Sequence, residues 1–404
     1  MAQKHFAPEA PTPAFERVDS DLLIEEETMP SYRPERFYPV HIGQIFRDQY
    51  QIIGKLGWGA ASTVWLCRDL HTKDNYVVLK VYINSSKVHR ELPIYEHIRR
   101  LDSEHDGRDR IRKLLGKFEV QGPHGTHICL VHEPLGLSLA ELRDSRPERV
   151  LSTAVMRETF RWILRGLEFL HQEAHVIHTD LHPHNIFMGI QHNSILVRFE
   201  QDEAESPCPR KELEDRTIYI SRPMRLSAGL PAISDLSEAR FGDFENIDDI
   251  MPDVYRAPEV ILGLNWSYPV DIWALGMVIW DLFEGNRLFP ARNPDKHYSE
   301  RYHLAQMVAI LGPPPLELLR RSEKSRKFWD QDGKWICDVP IPDISLESLE
   351  HRLEGQEKDH FLQFMRKMLQ WNPERRGTCH DIFWDEWLLA DLIASGKLQP
   401  PKEA

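Results

Sequence analysis

The segment VIHTDLHPHNIF constrains the fold most, because it places polar side chains at fixed spacing directly after a long amphipathic stretch. Between about Ser152 and Gln172, apolar residues recur three and four positions apart, which predicts a helix with one buried face. The loop after it carries His178, Asp180 and Asn185 in an H-x-D-x-x-x-x-N array. Packing alone gives no reason for polar groups at these spacings, so the loop is a candidate functional site.

A carboxylate and an amide on one rigid loop suit phosphoryl transfer. Asp180 would orient an attacking hydroxyl and accept its proton, and the amide oxygen of Asn185 would hold a magnesium ion. Asp235, in AISDLSEA, occupies the place of the metal-binding aspartate in a D-F-G motif, with Ser237 in place of the glycine, and the apolar residues before it indicate a short strand that would deliver it to the metal. The sequence therefore predicts a catalytic carboxylate and a nearby metal site.

An upstream segment, LGWGAASTVWL, matches a G-x-G-x-x-G-x-V pattern except that Ser62 replaces the third glycine. Glycines there let the backbone approach phosphate oxygens, although an ordinary glycine-containing hairpin would look the same. Lys80, in the apolar strand VVLKV, favours the phosphate interpretation because a cation there needs anionic partners. The expected nucleotide-binding residues are Leu56, Gly57, Trp58, Gly59, Ala60, Ala61, Ser62, Thr63, Val64 and Lys80.

The carboxylate that would orient Lys80 is expected on the helix predicted for HRELPIYEHI. Glu91 is favoured because Ile94 and Ile98 lie on its face, and Glu96 is the alternative.

Three downstream motifs predict structural roles. VYRAPEV supplies Glu259, and Asp271 in YPVDIWALG begins an apolar helix. Arg376, in NPERRGT, is expected to pair with Glu259 in a buried link whose loss would leave an unpaired charge.

The order of the patterns predicts two lobes. Short β-rich runs from Tyr50 to Val81 indicate a small antiparallel sheet, and the chain is mostly helical from the amphipathic stretch to about Leu388. Residues 1–36, with five prolines and the run Glu25–Glu27, predict a mobile tail. The expected domain covers residues 37–388, with an N-lobe at about 50–133, a hinge at 133–138, a C-lobe at 139–388, an exposed insertion at about 191–228 and a C-terminal tail at 389–404.

Composition limits the partners and the compartment. A net charge of −13 disfavours nucleic acid and anionic membranes and mildly favours basic partners. Five scattered cysteines predict reduced thiols, and no apolar run approaches the roughly 18 residues of a membrane span. Because the N-terminus also lacks a signal pattern, a location in the cytoplasm or nucleus is expected. The protein is also expected to be a monomer.

In this order, the motifs resemble those of the protein kinase superfamily over about residues 50–388. The segments IGQIFRDQYQIIGKLGWGAASTVWL, GPHGTHICLVHEPLG and HTD further resemble the SR-protein-specific kinases, especially fungal ones. The resemblance implies an α+β, bilobal protein kinase fold with a small antiparallel-sheet N-lobe and a larger, mainly helical C-lobe. It also implies ATP and Mg²⁺ as cofactors and serine or threonine side chains of a protein as phosphate acceptors. The implied substrates include arginine-serine-rich splicing factors, which implies a role in mRNA splicing regulation.

The same resemblance assigns further roles. Glu133 and Leu135 would offer hinge backbone groups to adenine, with His132 at the gatekeeper position. Thr179 stands where many kinases have an arginine that binds a phosphorylated activation loop. Since only Ser237 and Tyr255 carry hydroxyls between Asp235 and Glu259, a loop held without phosphorylation is expected.

Two departures from the family pattern bear on activity. His182 replaces the usual lysine two residues after Asp180, and Met251 or Pro252 replaces a usual threonine. A protonated His182 would recover part of a lost transition-state donor, so His182 is included among the catalytic candidates. The alternatives are a pseudokinase that binds ATP or a partner without turnover, and a small-molecule kinase, because HTDLHPHN is similar to aminoglycoside- and choline-type kinases.

The segment FGDFENIDDIMPDVYR is rich in carboxylates and would suit a basic, arginine-containing substrate. A solvated acidic face explains it as well. The acidic residues are Asp243, Glu245, Asp248, Asp249 and Asp253.

Overall fold

The structure, a computed structural model, describes residues 15–72, 75–85 and 90–399. Its strands are β1 (Ile45–Phe46), β2 (Tyr50–Gly59), β3 (Ser62–Asp69), β4 (Tyr76–Tyr82), β5 (Leu114–Gly122), β6 (Gly125–His132), β7 (Val176–Ile177), β8 (Ile186–Gly189), β9 (Arg210–Glu212), β10 (Thr217–Tyr219), β11 (Gly229–Ile233) and β12 (Arg240–Phe241).

The α-helices are α1 (Glu91–Arg100), α2 (Leu139–Asp144), α3 (Thr153–Glu168), α4 (Ser194–Glu205), α5 (Pro258–Ile261), α6 (Pro269–Glu284), α7 (Glu300–Leu311), α8 (Leu316–Arg321), α9 (Leu346–Leu349), α10 (Gly355–Met368), α11 (Cys379–Phe383) and α12 (Glu386–Ala394). Helix α3 continues as one π-helical turn, Phe169–Glu173, and short 3-10 turns include Glu25–Thr28, Pro34–Arg36 and Asp106–Arg110.

A six-stranded antiparallel sheet forms the centre of the first of two compact units. This unit contains the described residues up to 85, Lys113–Gly136 and Ile190–Ala228. The strand order is β1-β2-β3-β4-β6-β5. Alternating apolar residues on one face of the strands build its core, as period-two patterns require: Val40, Phe46, Ile52, Trp65, Cys67, Val77, Leu79, Val81, Cys129, Val131 and Tyr219.

The predicted exposed insertion is part of this first unit. Helix α4 buries Leu196 and Phe199, and the β9–β10 hairpin buries Ile218 and Tyr219. The rings of Tyr219 and Trp65 meet edge to face at 5.7 Å. The prediction of an exposed segment is therefore wrong, because its charged residues are neutralised in pairs and leave an apolar face to pack on the sheet.

The predicted N-terminal tail also differs from the structure. Residues 1–14 lie outside the described residues, but from Phe15 to Arg36 the chain has a defined conformation. Its backbone at Arg17 bridges to Arg210 in β9, and Glu26 and Glu27 are buried. Ion pairs with buried lysines explain why this acidic segment folds rather than remaining solvated.

The second unit is mainly helical and contains residues 90–112, Leu137–Gly189 and the described residues from 229 onward. Its central helix, α6, is apolar on all sides and is buried along most of its length, as such a sequence predicts. The ring of Trp280 in α6 stacks on that of Phe361 in α10, with their centroids 6.3 Å apart. The centroid of Phe361 also lies 5.0 Å from that of Trp387 in α12. A sheet-based unit and a helical unit together confirm the predicted α+β class.

Helix α1 belongs to the helical unit, although the sequence-based bounds assigned it to the N-lobe. The segment after it packs on α3 so closely that a Cβ added to Gly107 would lie 1.9 Å from the carbonyl oxygen of Arg165. Ile111 also bridges to Ile233 of β11.

All five cysteines are free thiols. Among the residues that the structure describes, no helix is both long and apolar enough to cross a membrane.

Candidate active site

Asp180 and Asn185 are brought together on the loop between β7 and β8. The Asn185 side-chain amide donates to the backbone oxygen of Asp180 at 2.9 Å and to its carboxylate Oδ2 at 3.0 Å. His182 lies beside both, with Nε2 at 3.1 Å from Asn185 Nδ2 and 3.5 Å from Asp180 Oδ2. Because Nδ2 of Asn185 donates its hydrogen bonds within the protein, the side-chain oxygen Oδ1 is the atom that can bind a ligand.

A buried carboxylate from α6 fixes the backbone of this loop. Asp271 is fully buried and accepts hydrogen bonds from the backbone amides of His178 at 2.8 Å and Thr179 at 2.9 Å. Its Oδ2 also lies 2.9 Å from His171 Nε2. Thr179 has φ of 65°, an unfavourable conformation for a β-branched residue that persists where surrounding bonds impose it.

His178 connects the loop to the segment that carries Asp235. Its Nδ1 accepts from the backbone amide of Asp180 at 3.2 Å, so its Nε2 carries the hydrogen that it donates to the carbonyl of Ser234 at 3.1 Å. The ring is thus a neutral imidazole that ties two strands' ends together.

The two predicted metal ligands follow paired strands. Ile186 of β8 is paired with Ile233 of β11, and the amide of Ser234 donates to the carbonyl of Asn185 at 2.8 Å. Asp235, the next residue, has φ of 61°, and its Oδ1 accepts from the amide of Ser237 at 3.2 Å.

These oxygen donors fit magnesium. Within residues 15–72, 75–85 and 90–399, no group of three or more His, Cys, Asp or Glu side chains forms a protein-only metal cage. Mg²⁺ commonly takes one or two protein ligands and completes its shell with phosphate oxygens and water, so one carboxylate and one amide oxygen suffice.

The predicted nucleotide-binding residues lie in the first unit. Strands β2 and β3 form a hairpin in which Gly57 is paired with Val64 and Gly59 with Ser62. A Cβ added at either glycine would meet nothing within 4 Å, so protein packing does not require these glycines. Open space above the backbone is what close approach of a phosphate needs.

Lys80 is central in the sheet, paired with Val64 on one side and Leu130 on the other. It is largely buried, with Nζ 5.2 Å from the Tyr82 ring centroid. At the predicted hinge, the Glu133 carboxylate accepts from the amide of Lys113 at 2.8 Å. Leu135 and the gatekeeper His132 are buried.

The burial of α1 favours Glu91 over Glu96. Glu91 is 2% exposed, whereas the Glu96 side chain is 27% exposed and lies 3.8 Å from Arg100. A buried carboxylate such as Glu91 is typical of an internal ion pair, because charged side chains are almost never fully buried unless they are paired.

Arginines partly neutralise the acidic segment. Arg240 pairs with Asp248 at 3.0 Å, and Arg256 pairs with Asp253 at 3.2 Å. Arg240 directly precedes the acidic segment in the sequence, and Arg256 is its last residue. Met251, one of the two candidates for the position of the missing threonine, is buried with φ of 67°.

Arg376 and Glu259 form the predicted buried ion pair. Two parallel hydrogen bonds of 2.6 Å join them, and their side chains are 0% and 1% exposed. Arg376 also donates to the carbonyl of Pro269, so the pair fixes α5 against the start of α6.

A further cluster was missed in the sequence. The hydroxyl of Tyr255 donates to Asp281 Oδ2 at 2.6 Å, Arg287 contacts both, and the Tyr255 ring centroid lies 6.3 Å from that of His182. Burial raises the pKa of Asp281 to about 6 despite the nearby Arg287 charge. The available signal was a lone carboxylate within the apolar run MVIWDLF.

Comparisons with known proteins show which proteins this chain is similar to. The protein kinase domain profile matches residues 50–198 and 245–388. A serine/threonine protein kinase of Aspergillus fumigatus is 44% identical over 384 residues, covering 94% of each chain. The serine/threonine-protein kinase SRPK of Physarum polycephalum is 30% identical over 88% of this chain and 90% of that protein. The crystal structure of a kinase domain superposes with a TM-score of 0.68 at 24% identity, over 87% of this chain and 99% of that one.

Proposed function

The chain belongs to the protein kinase family, and we propose that it transfers the γ-phosphate of ATP to serine or threonine of basic, arginine-containing proteins. The family and the enzyme class predicted from the motifs, a serine/threonine protein kinase, are confirmed by the profile match and the named relatives. Members of this family use ATP and Mg²⁺ in general. The observation that carries the proposal is the hydrogen bond from the Asn185 amide to the Asp180 carboxylate, on a loop whose backbone Asp271 fixes at His178 and Thr179.

Asp180 would orient the acceptor hydroxyl and take its proton as the phosphoryl group transfers. Its carboxylate is partly exposed, so a substrate hydroxyl can reach it, while the Asn185 amide holds it in place. Positioning of this kind accounts for much of the rate enhancement in phosphoryl transfer.

Asn185 and Asp235 would hold Mg²⁺ through Oδ1 of the amide and the carboxylate. When bound, the ion neutralises charge on the phosphate oxygens. In the first unit, Lys80 would pair with phosphate oxygens and the backbone at Gly57 and Gly59 would lie close to them. Glu91 is proposed as the carboxylate that orients Lys80.

The substrate class is proposed from charge and from the relatives. The net charge of −13 favours basic partners, and one relative is named SRPK. We therefore propose arginine-serine-rich splicing factors as substrates and a monomeric enzyme of the cytoplasm or nucleus. A fluorescent fusion observed in living cells tests the location, and exclusion from both compartments would contradict it.

Transfer of radiolabel from ATP by the purified protein tests the function. The acceptors are an arginine-serine peptide, its lysine-serine counterpart, a generic basic protein and an aminoglycoside, with Asp180→Asn as the control. Labelling of the arginine-serine peptide that Asp180→Asn abolishes supports the proposal.

Other outcomes would contradict parts of it. Equal labelling of the arginine and lysine peptides removes the arginine preference. Nucleotide binding without transfer indicates a pseudokinase, the outcome that the replacement of lysine by His182 makes worth testing. Labelling of the aminoglycoside alone indicates a small-molecule kinase, against which the Glu259–Arg376 pair argues.

A further inference from the structure

A lysine of the glycine-rich strand is buried. Lys55, in β2, is 2% exposed, and its Nζ contacts the Glu26 carboxylate and lies 3.3 Å from that of Glu25. A buried ammonium group persists only where opposite charge and hydrogen bonds replace water. The position of Lys55 therefore depends on a carboxylate 29 residues earlier in the chain.

The carboxylates that contact Lys55 are themselves anchored. Glu25 accepts from the backbone amide of Ser221 at 3.0 Å and from its hydroxyl at 2.5 Å. The N-terminal segment, residues 15–37, thus contacts the insertion through Glu25 and β2 through Glu26. This gives Lys55 a fixed partner rather than a mobile one.

Strand β2 is irregular immediately after Lys55. Lys55 is paired with Trp65 and Gly57 with Val64, so the register shifts between them at Leu56. A bulge leaves pairing locally disrupted, and contacts outside the ladder must then fix the strand's path. Two such contacts come from the insertion: the amide of Arg222 donates to the carbonyl of Lys55 at 2.9 Å, and Phe199 packs over Gly54.

We propose that Glu26 is a positioning residue for the glycine-rich loop: through Lys55 it fixes the point at which β2 enters the bulge and the loop. This places Gly57 and Gly59 for the nucleotide phosphates. The role in nucleotide binding rests on the proposed function, but the effect on the loop is measurable without any nucleotide.

The chain offers a matched control in the next residue. Glu27 is buried to a similar extent, 9% against 7% exposed, and pairs with Lys211 Nζ at 2.9 Å. Lys211 lies in β9, which pairs with β10 and not with β2 in the described sheets. Glu26→Gln and Glu27→Gln each remove one buried charge from the same segment, but Glu26 contacts a residue of β2 whereas Glu27 pairs with a residue of β9.

Hydrogen exchange of the apo protein gives the first readout. We expect Glu26→Gln to raise the exchange rate of backbone amides at residues 56–61 about tenfold, because Lys55 loses its principal partner. Glu27→Gln is expected to leave these amides within about twofold of wild type, even where both variants unfold at a similar, lower temperature. The double variant Glu26→Gln with Lys55→Met removes both charges of the Glu26–Lys55 pair, while Glu25 keeps its hydrogen bonds from Ser221, and is expected to restore slow exchange.

Steady-state kinetics give the second readout. Glu26→Gln is expected to raise KM for ATP about tenfold and to leave KM for the peptide within about twofold, a split that general destabilisation does not produce. Equal effects of Glu26→Gln and Glu27→Gln on the loop amides would overturn the inference, as would fast exchange in the double variant. A wild-type protein without phosphotransfer, but with the expected exchange difference, would contradict the proposed function and support the positioning role of Glu26.

Discussion

The hydroxyl of Thr179 donates a hydrogen bond to the backbone carbonyl of Glu238 over 2.7 Å. Thr179 occupies the position where many kinases carry an arginine that binds a phosphorylated loop. Here a neutral hydroxyl holds the loop backbone directly, and an ion pair of 3.3 Å between Arg90 and the Glu238 side chain adds a second contact. Neither of these two contacts at Glu238 involves a phosphate.

Activity should therefore not depend on phosphorylation of this loop. Phosphatase treatment and Ser237→Ala are both expected to leave peptide phosphorylation unchanged, because Thr179 and not a phosphate holds Glu238. Thr179→Val keeps the shape but removes the donor, and we expect about a fivefold loss of kcat, in line with about 1 kcal/mol for one hydrogen bond. A large loss after phosphatase would contradict this account.

The buried pair of Arg376 and Glu259 should dominate stability locally. Arg376→Met leaves Glu259 charged and unpaired in the interior, and we expect the free energy of unfolding to fall by about 3–5 kcal/mol in urea titrations. The exposed pair of Arg301 and Asp338 is the control, since Arg301→Met should change it by less than about 0.5 kcal/mol. Similar losses in the two variants would contradict the special role of burial.

Replacing Asp271 should slow catalysis without weakening nucleotide binding. Asp271→Asn keeps the side-chain volume but replaces one acceptor oxygen, so the amides of His178 and Thr179 cannot both stay paired. We expect kcat to fall about 100-fold through misplacement of the catalytic loop, with melting measured in parallel to exclude unfolding. Calorimetry of nucleotide binding should give an affinity within about threefold of wild type; an equal loss of affinity and kcat would contradict the separation.

The site residues that spacing alone predicts lie close together in the chain, whereas the distant pair Glu259–Arg376 is predicted from two separate motifs. The spacing from His178 to Asn185 within one loop already determines that Asp180 and Asn185 can meet. The ladder between β8 and β11 was less visible, yet the apolar run before Asp235 was enough to place it after a strand.

The errors concern charges whose partners are distant in sequence. Glu26 and Lys55, or Glu203 and Arg222 at 2.8 Å, look like solvated residues until the fold brings each pair together. Periodicity reports which face of an element is apolar, but it carries no information on which distant charge neutralises a buried one. For this reason the sequence predicts a mobile tail for residues 1–36 and an exposed insertion at about 191–228.

The buried carboxyl of Asp281 predicts a pH dependence of stability. Burial raises its pKa from 3.8 to about 6, so the folded protein binds the proton more tightly than the unfolded chain. This contribution is fully present below pH 3.8 and is lost as the pH rises through about 6. Relative to Asp281→Asn, the wild-type free energy of unfolding should therefore fall by about 2 kcal/mol between pH 4.5 and 7.

A carboxyl with the opposite shift provides the control for that measurement. Hydrogen bonds from Arg161 lower the pKa of Asp391 below 3.8, so its titration lies below the tested range. The difference in stability between wild type and Asp391→Asn should stay constant between pH 4.5 and 7, because the folded and unfolded carboxyls are both ionised over most of it. Glu284, whose pKa is raised to about 7, is present in all three proteins and cancels in each difference. A constant difference for Asp281→Asn as well would show that Asp281 is ionised throughout and that Arg287 outweighs burial.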